Sequence, residues 1–535
     1  MTEATQTPPP VKPSSTNDHG PGHGNGSEVD HREQQLFQSL DRDGVGSIRR
    51  SEILSVIKRM GLQLEDARLQ ETLIALHRYV EDEPITYADF SNIVRPNILL
   101  VERVLQGHTV IPDFEDFCGD IGQIYTETRK NQTGKVADYI PQLGRVAPDQ
   151  YGVALCTIDG QRYSVGDTKV DFSIQSTTKP INYCLALEEH GEDLVHKHVG
   201  REPSGRGFND LTLDSHGRPH NPMINAGAIM CCSLVRPKLD LADRFDFVMD
   251  SWAALAGGQR PRFNNSVYLS ERGTADRNFA LGYFMRENKA FPEGTNLVET
   301  LEFYFQCCSI EMNAEIMSVV AATLANGGVC PTTGKQIFSL RTVQNCLSLM
   351  YSCGMYDFSG EFAFSIGLPA KSGVAGALMI VVPNVMGICT WAPRLDKHGN
   401  SVRGVEFCKR LVNRFNFHNY DNLTGLSQKK DPRRSQLRAK SDEVMSFIWA
   451  VSKGDITALQ QYLARGADIN EADYDGRAPL HLAAAEGHER VVEFLLNQGA
   501  ELNPRDRWNG TPLEDAYRGN HKSVISLLEK RGAVR

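Results

Sequence analysis

Ser176 and Lys179, three positions apart in Asp171–Pro180 (DFSIQSTTKP), are the residues of this 535-residue chain whose spacing most plainly suggests chemistry. A hydroxyl is a poor nucleophile until a base within hydrogen-bond reach takes its proton. One helical turn brings Lys179 to the same side as Ser176, where its amine could be that base. The amine must then be neutral, and lowering it from about 10.4 to 7 or 8 costs on the order of 4 kcal/mol, supplied by burial or neighbouring positive charge. Pro180 falls at the edge of the first turn, where N–H groups mostly lack partners. Taken alone, the spacing also fits a helix cap followed by a surface lysine.

Two downstream elements change that balance. Lys371-Ser372-Gly373 supplies the Lys-Ser/Thr-Gly strand that accompanies S-x-x-K in penicillin-recognising serine enzymes. Between them, Cys353–Gly360 (CGMYDFSG) presents Tyr356, whose phenol could relay a proton. In that architecture the N–H groups of Ser176 and Val374 form the oxyanion hole, and removing one such donor typically costs about 100-fold to 1000-fold. The order resembles an acyl-transfer enzyme of the β-lactamase-like fold.

Elements must hold these residues in place. Residues 110–418 mix strand-like apolar runs at both ends, 151–158 and 378–382, with a helix-rich middle such as 315–328, which predicts an α+β domain whose sheet joins distant parts of the chain. Residues 31–105 read as helical and enclose Asp41–Glu52, which has an EF-hand loop's length and ends. Val45 and Arg49 stand where oxygen ligands belong, so we read a helix pair kept for packing, with no metal. The C-terminal part, 444–535, repeats: Ala478–Ala483 (APLHLA) recurs as Thr511–Ala516 (TPLEDA) and His488 as His521. This is the ankyrin pattern, two full repeats after an imperfect first. A Lys/Arg-rich stretch within 419–443 reads as a solvated linker, and 1–30, rich in Pro, Gly, Ser and Asn, as a disordered tail.

Composition narrows the partners. A net charge of −9 argues against nucleic acid, whose phosphates need a concentrated basic face. Twelve cysteines without a C-x-x-C pair suit reduced, buried thiols in an intracellular protein. The N-terminal stretch lacks both an apolar signal core and the arginine-rich pattern of a transit peptide. The long uncharged run 372–393 is divided by glycines and by Pro383-Asn384, so it reads as two buried strands in a hairpin, not a membrane span.

Eight ordered blocks carry a closer resemblance: Tyr139–Leu143 (YIPQL), Gln175–Pro180 (QSTTKP), Glu202–Gly205 (EPSG), His220–Ile229 (HNPMINAGAI), Leu269–Asn278 (LSERGTADRN), Tyr304–Glu311 (YFQCCSIE), Ser352–Gly360 (SCGMYDFSG) and Lys371–Gly376 (KSGVAG). Together with the flanking EF-hand-like and ankyrin segments, they resemble animal kidney/liver-type glutaminases. The resemblance implies hydrolysis of L-glutamine to L-glutamate and ammonia without metal or organic cofactor. Ser176 would be the nucleophile, with Lys179 and Tyr356 handling its proton. Tyr139, Ser176, Asn225, Glu271, Asn278, Tyr304, Tyr356 and the backbone of Val374 would line the glutamine pocket. The charges suit the substrate: Glu271 offers an anion for the α-ammonium, and Asn225, Asn278 and tyrosine hydroxyls offer donors to the α-carboxylate. A homotetramer and a mitochondrial location also follow from the resemblance alone, although without a visible transit peptide a cytosolic form stays open. In the loop after Glu202–Gly205, Asp210 and Thr212 replace a basic and an aromatic residue of the relatives, which bears on phosphate activation and not on the chemistry. Two other readings stand: another serine acyl-transfer hydrolase on this fold, and a non-catalytic scaffold binding a protein through its ankyrin repeats.

Overall fold

The computed structural model describes residues 33–535, apart from 35, 39, 42, 65, 81–82, 99, 102–108, 206, 208–209, 422–428, 435–446, 465–467 and 474. The expected tail, 1–30, and most of the basic connector therefore lie outside the described residues. The described residues fall into two compact units, those within 1–56 and 69–106, and those within 57–68 and 107–535.

In the first unit, strands Ser47–Arg49 and Pro84–Thr86 pair antiparallel with Ile48 opposite Ile85, both buried. Two loop-and-helix halves are thus joined back to back, as in paired EF-hands. The loop's first carboxylate is engaged by its own backbone: Asp41 accepts from Val45 N and Gly46 N at 2.9 Å each. Helix Tyr87–Val94 starts on a capping box between Thr86 and Asp89 and buries Phe90.

The second unit is built on a five-stranded antiparallel sheet, ordered Arg162–Gly166, Gly152–Thr157, Met386–Trp391, Ala377–Val382, Ala370–Ser372. Strands from the two ends of the domain are neighbours: Leu155 sits opposite Ile388. The uncharged run 372–393 forms the expected hairpin, Ala377–Val382 against Met386–Trp391, and Asn384 takes the left-handed conformation its turn requires (φ 59°).

Alternate side chains of these strands enter two different cores. Ala154, Met379, Val381, Cys389 and Trp391 face a helical layer with Ile181, Ile229, Leu301 and Met317. Val153, Leu155, Leu378, Ile380 and Ile388 face Phe117, Ile121, Phe407 and Leu411 of helices Phe114–Thr128 and Val402–Arg414. The sheet is thus covered on both faces. A second sheet of three very short strands, Phe172–Ser173, Ile310–Met312 and Arg262–Phe263, stands beside the helical layer. All twelve cysteines are free and eleven are buried, in line with the sequence reading.

Part of the connector departs from a solvated linker. Lys430 N donates to Arg414 O and Asn416 N donates to Lys430 O, both at 3.0 Å, while the Lys430 amine meets Asp120 at 2.9 Å. Asp120, Asp421 and Asp431 give these basic residues local partners, so the described stretch docks on the domain.

The ankyrin helices, among them Pro479–Ala485, Glu489–Asn497, Pro512–Arg518 and Lys522–Lys530, share one core of their own. The repeated histidines tie each repeat to the last: the His488 ring pairs with Ser452 O at 2.9 Å and the His521 ring with Ala485 O at 2.8 Å. No helix among the described residues is long and apolar enough to cross a membrane.

Candidate active site

Ser176 lies in a tight 3-10 turn, Gln175–Thr178, that runs directly into helix Lys179–His198. Pro180 occupies the first turn of that helix, where it forfeits no ladder bond. Ser176 is partly exposed while Lys179 is completely buried. The turn is conformationally costly, because Gln175 is left-handed at φ 47° without being glycine. Such a residue costs on the order of 1–3 kcal/mol and persists only where its surroundings enforce it. Tyr356 is left-handed as well (φ 53°).

Three hydrogen-bonded groups surround the serine. In the first, the Lys179 amine donates to Asn225 Oδ1 at 2.6 Å, Tyr304 donates to the same oxygen at 3.3 Å, and Asn225 Nδ2 donates to Asn278 Oδ1 at 3.3 Å. Asn225 opens helix Asn225–Leu234, held close by Gly227, where a Cβ would stand 1.9 Å from Asn221 O. In the second, the Tyr139 hydroxyl and Gln175 Nε2 donate to Glu271 Oε1 at 2.6 and 3.0 Å. In the third, Tyr356 donates to Ser372 O at 3.1 Å and is hydrogen-bonded to Ser176. The Lys371 amine donates to the same Ser372 carbonyl at 2.6 Å.

The Lys-Ser-Gly strand lies against the serine turn. A Cβ on Gly373 would come within 2.9 Å of Ile174 O, so only glycine allows this approach. Val374 follows in the turn, and its N–H has no acceptor among the described residues. This leaves a backbone donor free beside Ser176.

Burial sets the charges. It lowers the Lys179 amine to about 8. Burial, and then the charge of Lys179, hold Lys371 well below the ordinary lysine value. Burial raises the Tyr356 phenol, and its hydrogen bond with Ser176 offsets part of the rise. Glu271, 8% exposed, is raised by burial and partly restored by its bonds from Tyr139 and Gln175. No lysine or arginine pairs with Glu271 among the described residues. A buried carboxylate without a cation is expensive, and it suits a site that receives a cationic ligand.

The structure thus brings Tyr139, Lys179, Asn225, Glu271, Asn278, Tyr304 and Tyr356 into three hydrogen-bonded groups about the turn that carries Ser176, with Val374 following Gly373 where the Lys-Ser-Gly strand meets that turn. The sequence reading missed Gln175, which braces Glu271 from inside the quoted block, and gave no role to the Lys371 side chain. Asp210, by contrast, lies outside this set and folds back on its own turn, accepting from Gly207 N at 3.2 Å. A cleft of about 370 Å³ adjoins Tyr356, walled by Pro203, Ser204, Met223 and Asp357.

A sheet-and-helix framework of the β-lactamase-like kind, holding a half-open serine, a buried amine and a buried carboxylate, defines the class as a hydrolase. The model of the glutaminase family matches residues 134–420, that of ankyrin repeats (three copies) residues 447–534, and that of the EF-hand domain residues 32–112. The chain is 47% identical over 445 residues to the mitochondrial liver isoform of glutaminase from Mus musculus, spanning 82% of this chain and 74% of that one. It is 45% identical over 483 residues to putative glutaminase 2 of Caenorhabditis elegans, spanning 88% and 80%. The solved structure of a probable glutaminase, 35% identical, superposes with a TM-score of 0.53 over 55% of this chain and 95% of its own. The chain belongs to the glutaminase family, and its reaction is the hydrolysis of L-glutamine to L-glutamate and ammonia.

Proposed function

We propose that Ser176 attacks the side-chain amide of L-glutamine to form a glutamyl ester, which water then cleaves. The observation that carries this reading is geometric: Ser176 is hydrogen-bonded to Tyr356 and lies one turn before the wholly buried Lys179, and burial shifts the two groups oppositely, Lys179 down to about 8 and Tyr356 up. Groups driven apart in this way divide the roles of base and acid. Lys179 takes the Ser176 proton as the serine oxygen bonds to the amide carbon. The carbonyl oxygen gathers charge beside the N–H groups of Ser176 and Val374. As the C–N bond breaks, the departing nitrogen takes a proton from Tyr356 and leaves as ammonia, and Lys179 returns its proton to Tyr356. Water then adds to the ester, gives its proton to Lys179, and Ser176 departs with that proton. Glu271 holds the α-ammonium, while Asn225, Asn278, Tyr139 and Tyr304 orient the rest of the substrate.

The test is ammonia release from L-glutamine by wild type and Ser176→Ala, with L-asparagine as control, and intact mass after acid quench. Glutamine-selective release that vanishes in the variant, with a glutamyl adduct on the wild type only, is the expected result. An active Ser176→Ala enzyme would sink the nucleophile assignment.

Family resemblance also supports a homotetramer, a mitochondrial location like that of the liver-isoform relatives, and a protein partner for the ankyrin repeats. We assign residues 31–105, 110–418 and 444–535 to the EF-hand-like, catalytic and ankyrin regions. Light scattering and cell fractionation test the first two points. Because Asp210 replaces a basic residue, phosphate should stimulate this enzyme weakly, which adding phosphate to the same assay checks.

A further inference from the structure

Among the described residues, Lys371 is the wholly buried amine that the scheme above leaves unused. Its side chain is 0% exposed and forms no ion pair among the described residues. Apolar packing alone would be served more cheaply by methionine, so the amine calls for a reason. Its contacts supply one. Nζ sits 4.4 Å from the centre of the Tyr356 ring and donates to the Ser372 carbonyl at 2.6 Å. That same carbonyl accepts the Tyr356 hydroxyl at 3.1 Å. Tyr356 is held in a left-handed backbone conformation, which surrounding contacts must impose.

We propose that Lys371 is a positioning residue for Tyr356: it fixes the Ser372 carbonyl and supports the face of the ring, aiming the phenol at Ser176. This rests on the catalytic use of Tyr356 proposed above. The contacts of the Lys371 amine are with the Ser372 carbonyl and the Tyr356 ring, so its action on the reaction runs through Tyr356. The neighbouring elements leave it this task. Strand Ala377–Val382 brings no titratable group, and on helix Leu340–Cys353 the Tyr351 hydroxyl is already committed to Ala363 O. Lys179 faces it through space and binds Asn225 instead.

Because the proposed action runs through one partner, a double-mutant cycle on the full chain tests it. Lys371→Met should lower kcat by about 100-fold, within the range of a lost acid–base contribution, and leave KM within about threefold. Tyr356→Phe should lose at least as much. The double variant should be no slower than Tyr356→Phe alone, since removing the aim of an absent hydroxyl costs nothing further. Lys371→Gln, which keeps a donor toward the Ser372 carbonyl, should recover about tenfold over the methionine variant. The melting temperature of Lys371→Met should equal or exceed that of wild type, which a purely structural lysine would not show. Additive losses, or a raised KM with unchanged kcat, would overturn the proposal. So would equal turnover in the Gln and Met variants. An unimpaired Tyr356→Phe would instead overturn the role of Tyr356 itself, so the two failures are distinct.

Discussion

At the scale of single residues, the site holds a buried carboxylate and a buried amine, neither with an ion-pair partner among the described residues. Glu271 accepts from Tyr139 and Gln175, and a glutamine at 271 could accept the same two bonds. Glu271→Gln should therefore fold normally yet lose the anion, raising KM for glutamine by about 10- to 100-fold, the usual worth of a bond to a charged group, with a smaller effect on kcat. Unchanged KM would place the substrate ammonium elsewhere. Lys179 carries the opposite liability. Its folded value, about 8, lies below the unfolded 10.5, so the unfolded chain binds the proton more tightly. Its contribution is therefore unfavourable below pH 8, by roughly 3 kcal/mol, and fades as the pH rises through 8 towards 10.5. In urea unfolding, Lys179→Met should be more stable than wild type at pH 7 and lose much of that advantage by pH 9.5. A methionine variant less stable at pH 7 would show that the amine stabilises the fold.

At the scale of elements, the close approach of two backbones sets the geometry. Gly373 lets the Lys-Ser-Gly strand touch the serine turn, and a Cβ there would meet Ile174 O at 2.9 Å and Thr177 Cγ2 at 3.3 Å. Gly373→Ala should push the strand away by a few tenths of an ångström and lower kcat by about 10- to 100-fold, since small misplacements of reacting groups are costly. Steady-state kinetics beside a thermal melt would check this, and wild-type turnover would count against the contact. These elements also show what sequence can carry. Strands 152–157 and 377–382 lack alternating polarity because both faces are covered, so length and the Pro383-Asn384 turn identified them. The three-stranded sheet escaped notice because strands of two or three residues have no measurable period. Within the site, Ser176, Lys179 and Lys371 were legible from short spacings. Gln175 and Glu271 lie 96 positions apart, and their bond exists only once the fold is made. The left-handed Gln175 and Tyr356 break local preference for the same reason, the ordinary signature of a functional site.

At the scale of the whole molecule, the chain combines parts with separate interiors. The ankyrin helices keep a core drawn from residues 447–533, and the catalytic domain has its own two. Repeats that stack only on neighbours can carry binding surfaces without constraining the chemistry. Shared polar histidines, His488 and His521, tie that stack together through carbonyls of the preceding repeat.

The pairing of Gly152–Thr157 with Met386–Trp391 has a consequence in time. More than two hundred residues intervene between these neighbours, so the sheet has a high contact order and its closure waits on the helical segment between them. Ser176 belongs to the early part of that span and the Lys-Ser-Gly strand to the late part, and they meet only at closure. On refolding from denaturant, helical signal should return before ammonia-releasing activity does. Stopped-flow circular dichroism beside a timed activity assay would follow both, and simultaneous recovery would mean that the ends of the domain find each other first.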